Sequence, residues 1–223
     1  MKYSRGCSLT FSDIGEAAVL FDGAKGEMDL DVQRQIWALS AIMEKAGGII
    51  ETVPGMNNLL VVFDPLVTDR QDVIEMAEIN WPPPLSDLRP GRLIEIPVVY
   101  GGEYGTDLSW MAERAGMSRE EFARLHASSN YTVFALGGQP GFAFLGGLDP
   151  RLATPRREVP RVQVAAGSVM IGGVQTGIYP TAAPSGWNLI GHTHAKLFDI
   201  NVAPPALLAP GDIVRIVLED ILP

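Results

Sequence analysis

"NWPPPLSDLRPGR", residues 80–92, separates two differently written halves of this sequence. Three consecutive prolines end any helix or interior strand, because each fixes φ and lacks an N–H. Pro82, Pro83, Pro84 and the Pro90-Gly91 pair therefore mark a linker, taken as residues 81–92. Of the 17 prolines, two lie in residues 1–80 and fifteen beyond. The reading that follows is a small α+β domain over 1–80 and a mainly-β domain over 93–223.

Toward the N-terminus, strand and helix signals alternate. AAVLF (17–21) and NLLVVF (58–63) read as strands. Between them Val32, Ile36, Leu39 and Met43 step by four, three and four, the apolar stripe of an amphipathic helix. Gly47-Gly48 stops it, and GIIETVPG (48–55) supplies another strand. Thr68 and Gln71 have the spacing of a capping box. A second helix is expected to open there, with Val73, Met76, Ala77 and Asn80 on one face. Two helices on an antiparallel sheet result.

Beyond the linker the chain reads as short strands between Gly/Pro turns. RLIEIPVVY (92–100) places Ile94, Ile96, Val98 and Tyr100 on one face. Helices are expected near 106–115 and 118–126, the second opening on a Ser118/Glu121 capping box. Further strands are expected at 131–136, 161–165, 168–172, 176–179, 187–191, 196–200 and 213–219. This spacing fits a closed barrel or a sandwich.

Composition excludes some functions. The net charge is −9, whereas a nucleic-acid partner requires a basic face. No apolar run approaches a membrane span, and the first residues lack the apolar core of a signal peptide. A cytoplasmic protein without membrane contact is expected. Cys7 is the one cysteine, so no disulfide forms within the chain, and it reads as a small hydrophobe rather than a nucleophile.

Three stretches could carry chemistry. YGGEYGTDL (100–108) sets Glu103 among glycines, with Gly101 and Gly102 letting backbone approach a ligand ahead of a helix; a plain turn with a solvated Glu fits as well. LGGQPGFAFLGGLDPRLATPRREVPR (136–161) reads as a long ordered loop, with Gly137 and Gly141 at its start. Arg151, Arg156, Arg157 and Arg161 lie within eleven residues of it. Such a cluster suits a carboxylate or phosphate, unless it only pairs with Asp149 and Glu158 at the surface. In 167–193, Gln175, Tyr179 and Trp187 could line a barrel mouth for a small planar amide. The sequence contains no GxSxG elbow, Walker A loop, CxxC, HExxH, Ser-Lys amidase signature or Met-Lys-Met biotin site.

Read together, YGGEYGTDL, PGFAFLGGLDPRLATPRREVPR, AAGSVMIGGVQTGIYP and SGWNLIGHT closely resemble the family of the 5-oxoprolinase B subunit, also called the KipI or allophanate-hydrolase-subunit-1 family. VPGMNNLLVVFDP (53–65) extends the resemblance over nearly the whole chain. The resemblance implies a cyclophilin-like β-barrel behind the small α+β domain. It implies a paralogous partner resembling the 5-oxoprolinase C subunit or KipA, and a third subunit. Such complexes use ATP to open the lactam of 5-oxoproline. The alternatives it carries are a carboxyltransferase component acting on urea or allophanate, where carboxybiotin enters, and an inhibitor of a histidine kinase. The resemblance implies no cofactor bound by this chain alone, with ATP serving the complex.

The family pattern has Gly-Arg-Thr-Pro where this chain has Gly191-His192-Thr193-His194. His192 and His194 face one side of a strand, as a metal pair would. A metal site usually needs a third protein ligand, and His126 falls in a separate helix, so no metal is expected. His192 is read instead as a hydrogen-bonding group that adds a pH dependence an arginine lacks. It is expected beside Trp187 and the 137–141 loop. The chain also departs from the pattern at Thr106, Gly138 and Ser185, which bears on ligand specificity.

Overall fold

The computed structural model describes residues 9–24, 28–85, 88 and 90–223. Cys7 and part of the 81–92 linker lie outside them. The chain falls into two compact units, Met1–Arg89 and Pro90–Pro223. Among the described residues, no helix is long and apolar enough to cross a membrane.

The first unit contains β1 (Thr10–Asp13), β2 (Ala18–Asp22), α1 (Leu30–Met43), β3 (Ile49–Pro54), β4 (Asn58–Phe63) and α2 (Arg70–Ile79). Its antiparallel sheet has the order β1-β2-β4-β3. The expected α1 stripe is the buried one, with Val19, Phe21, Leu59, Val61 and Phe63 facing it from the sheet. Asp29 caps α1 by accepting from the Asp31 and Val32 N–H groups. The α2 cap differs from the Thr68/Gln71 expectation. Asp69, one residue on, takes the Asp72 N–H at 2.9 Å, because a carboxylate placed there satisfies a free donor of the first turn.

The second unit contains β5 (Leu93–Gly101), α3 (Leu108–Arg114), α4 (Arg119–Ser128), β6 (Asn130–Leu136), β7 (Ala143–Gly146), β8 (Arg161–Val164), β9 (Ser168–Gly172), β10 (Gln175–Ile178), β11 (Ala183–Ser185), β12 (Asn188–His192) and β13 (Ile213–Leu222). Seven strands close a barrel in the order β10-β7-β6-β13-β5-β12-β9. β13 runs parallel to β5 from Ile213↔Leu93 to Leu222↔Gly101; the other barrel pairs are antiparallel. Ile96, Val98 and Tyr100 point inward with Tyr131, Val133, Ile190 and Val214, and Leu108, Met111 and Phe122 of α3 and α4 join them. The Ser118/Glu121 capping box opens α4 as expected.

β9 is buried along its whole length. Val169 and Ile171 face the barrel core, and Met170 faces a second cluster with Phe142, Val164, Tyr179, Trp187 and Leu189. A strand covered on both faces carries a continuous apolar run.

Three expectations change. The loop expected over 136–161 contains β7, paired with both β6 and β10. The turn-rich composition hides a four-residue strand because Gly141 and Gly147 fall just outside it. β11 pairs with β8 in a separate ribbon. The strand expected at 196–200 reduces to one bridge, Phe198↔Ala206, since the Asp199 side chain folds the chain by accepting from the Asn201 N–H at 3.0 Å.

Candidate functional site

The charged centre of the second unit is Asp107, just ahead of α3, with a side chain 5% exposed. Its N–H donates to the Leu189 carbonyl at 3.0 Å, and its Oδ2 accepts from the Leu189 N–H at 2.7 Å. The entry to α3 is thereby fastened to β12. Oδ1 accepts from Arg161 Nη2 at 2.9 Å, Arg157 Nη1 at 3.2 Å and Trp110 Nε1 at 3.3 Å. Burial pushes the Asp107 carboxyl up, but the Arg161 hydrogen bond, the Leu189 N–H and the guanidinium charge outweigh it and hold the group below its ordinary value.

Local sequence explains how the arginines arrive. Pro155 and Pro160 stiffen the segment between them. The Arg157 N–H donates to the Gly186 carbonyl at 2.7 Å, and Arg161 opens β8 opposite Ser185. Arg156 turns the other way, its guanidinium 5.5 Å above the Trp187 ring. Arg151 does not join them: it pairs with Asp149 at 2.7 Å on the surface. The four-arginine cluster thus becomes a group of three.

Arg114, Arg156, Arg157, Trp110, Glu158 and Asn188 line a cleft of about 390 Å³. Asn188 is 1% exposed. Its Nδ2 donates to the Pro155 and Ile171 carbonyls at 2.9 and 3.2 Å, whereas its Oδ1, itself buried, has no partner among the described residues. Arg161 Nη1 is likewise buried and without a partner among the described residues. Fixed guanidinium groups around a cleft can hold a carboxylate or phosphate.

The other candidate residues lie elsewhere. Tyr179 and Trp187 are 9% and 6% exposed and belong to the second apolar cluster, not to an open barrel mouth. Trp187 packs so closely on Gly172 that a Cβ there would lie 2.6 Å from the indole. Gln175 starts β10 opposite Gly172. Glu103 is exposed on a short 3-10 turn, Gly102–Tyr104.

The glycines beside Glu103 serve the backbone. At Gly101, with φ 75°, a side chain would strike the Leu222 carbonyl at the end of β13. The N–H of Gly137 closes the β6–β7 turn on the Phe142 carbonyl at 3.1 Å, and Gly141 lies against Phe198.

His192 sits against the 165–167 turn rather than the 137–141 loop. Its Nε2 is 2.8 Å from the Ala166 carbonyl, and its ring neighbours are Tyr104 and His194, at 4.5 and 4.9 Å between centroids. Trp187 lies five positions back, beyond the other end of β12. His126 is wholly buried, and burial alone pushes it down to about 3. Among the described residues no three His, Cys, Asp or Glu side chains converge as a metal site would require.

Sequence reasoning passed over Asp107, Trp110, Arg114 and Asn188. Asp107 stood inside a quoted motif, two residues past Gly105, but nothing local announced that residues fifty positions away would pair with it.

The family model for the carboxyltransferase domain, subdomain C and D, matches residues 9–208. The chain is 45% identical over 204 residues to the 5-oxoprolinase B subunit of Escherichia coli O157:H7, covering 92% of this chain and 93% of that protein. It is 47% identical over 190 residues to the 5-oxoprolinase B subunit of Haemophilus influenzae, covering 85% and 88%. The crystal structure of TTHA0988 superposes with a TM-score of 0.80 at 36% identity. That match covers 91% of this chain but 40% of TTHA0988, so the chain spans about two fifths of that protein.

Proposed function

The chain belongs to the carboxyltransferase subdomain C and D family alongside the 5-oxoprolinase B subunits, and from that premise we propose that it is one component of an ATP-dependent complex that opens a cyclic amide. The observation that carries this reading is near-full-length identity to proteins named as the B subunit of 5-oxoprolinase. The chemistry on the chain agrees. Around Asp107 it offers fixed positive charge, which binds and orients, and its sequence has no phosphate-cradling loop or nucleophile elbow. ATP binding is therefore assigned to another subunit, and the site is completed by a paralogous subunit of the C type. The seven-stranded barrel is read as the family's cyclophilin-like domain, working in the cytoplasm.

The family description, a carboxyltransferase domain, favours one alternative: a component of carboxyl transfer, which we read as transfer from carboxybiotin to urea. Residues 1–223 contain no biotin-attachment lysine motif, so on that reading the carrier lies outside them.

The test is an assay of purified protein with ATP and 5-oxoproline, alone and with the C-type and third subunits. Glutamate should form only in the reconstituted mixture. Turnover by this chain alone would overturn the proposal. Failure of the full mixture, together with carboxyl transfer from carboxybiotin to urea, would favour the alternative.

A further inference from the structure

β2 and β4 are the central strands of the first unit's sheet, and neither alternates apolar with polar residues. They read AVLFD and NLLVVF. An antiparallel sheet with one face in water alternates the two, whereas a strand covered on both faces is apolar throughout. Here Val19, Phe21, Leu59, Val61 and Phe63 belong to the core under the helices. Their neighbours Ala18, Leu20, Leu60 and Val62 therefore lie on the opposite face. These are only partly buried, and they neither belong to nor pack against any of the buried apolar clusters.

Register gathers these side chains into one patch. Leu60 stands opposite Leu20 on one side and Val53 of β3 on the other, and Val53 is 38% exposed. In the next row Val62 stands between Ala18 and Glu51. Directly opposed residues share a face and interact, so the apolar surface is continuous across three strands.

Charge indicates what covers it. The four strands contain Asp13, Asp22 and Glu51 but no Lys or Arg. Asp13 pairs with Arg70 of α2. Asp22 and Glu51 lie on the open face, at opposite corners of the patch. Neither forms an ion pair among the described residues. Residues 1–89 together hold 14 Asp and Glu against seven Lys and Arg. A second copy would bring an equally acidic unit to this face, and an anionic lipid surface would be repelled by it.

We infer that the open face of this sheet docks another protein chain, one that presents an apolar stripe flanked by Lys or Arg. Leu20, Val53, Leu60 and Val62 receive the stripe, and Asp22 and Glu51 receive the basic groups. Apolar burial supplies the affinity, while the two carboxylates select the partner and set its orientation. The inference goes beyond the proposed function and does not depend on it.

The experiment titrates the ¹⁵N-labelled full chain with two synthetic helical peptides that share one leucine stripe, flanked by Lys in one and by Glu in the other. The Lys peptide should bind saturably, with its largest amide shifts in β2, β3 and β4. The Glu peptide should bind about tenfold more weakly or worse, because like charges then meet. Val53→Thr and Leu60→Thr should each weaken the Lys peptide, Leu60→Thr by about tenfold for the lost apolar contact, with the urea midpoint unchanged. Asp22→Asn combined with Glu51→Gln should flatten the salt dependence of binding.

Equal binding of the Glu peptide, unchanged affinity in both threonine variants, or an unchanged salt dependence would overturn the inference. So would shifts centred on α2, where Asp72, Glu75 and Glu78 also attract cations. Urea midpoints lowered in both threonine variants would place the patch inside the fold, and a dimer in sedimentation that Leu60→Thr dissociates would assign it to a second copy; either result also overturns the inference.

Discussion

Asp107 shows how one buried carboxylate can hold a site together. It accepts from two arginines, an indole N–H and a backbone N–H. Asp107→Asn would leave Arg157 and Arg161 without a counter-charge. Both guanidinium groups retain some water, so the cost should fall near the lower end for a broken buried pair, about 2–4 kcal/mol, read from urea unfolding. Because the folded carboxyl titrates below its ordinary value, its contribution is complete above about pH 4 and is lost as pH falls further.

His126 works in a different window. Tyr100 Oη lies 2.6 Å from Nδ1, Nε2 lies 2.9 Å from Thr176 Oγ1, and Thr176 donates on to the Met170 carbonyl. Only the tautomer with its proton on Nε2 satisfies that chain, with Tyr100 donating to Nδ1. The folded state excludes a second proton until about pH 3, while the unfolded chain takes it up below about 6.5. Stability should therefore fall with pH between about 6.5 and 4, before carboxylates titrate, by up to about 1.4 kcal/mol per unit. Glutamine keeps an acceptor and a donor without titrating. His126→Gln should accordingly flatten the slope of urea midpoint against pH.

Among elements, β9 and β12 carry the site. β9 lies between the two apolar clusters of its unit, and β12 is bonded to β9 on one side and to the start of α3 through Leu189. Gly172 ends β9 under the Trp187 ring. Gly172→Ala would push a methyl to within 2.6 Å of the indole of Trp187, which is 6% exposed. Overpacking of this kind costs about 1–3 kcal/mol. It should also displace the ring that supports Arg156. The expected result is a lower thermal midpoint with a changed tryptophan emission spectrum; an unchanged midpoint would show that Trp187 moves freely.

For the whole molecule, the relevant division is between cores. The first unit buries its own cluster, and the second closes a barrel entirely from residues 93–222. Its longest pairing, β13 on β5, joins the two ends of that unit. A protein beginning at Pro90 should fold by itself, with a cooperative urea transition and a near-ultraviolet circular dichroism signal from its packed aromatic residues. A non-cooperative transition would show that the barrel needs residues 1–89.

What this sequence determined by itself was local or densely repeated. The α1 stripe and the Ser118/Glu121 box were legible because helical period and capping act over three to four residues. The family was legible because its motifs run along nearly the whole chain. Tertiary structure alone decided what the arginines meet. Asp107 reaches Arg157 and Arg161 across 50 and 54 positions, and no local rule sets such a distance. It also decided that Tyr179 and Trp187 pack inside, that Arg151 leaves the cluster, and that His192 stacks on Tyr104. Each of these depends on barrel closure, where strand register is set by burying one face of each strand against residues far away in sequence.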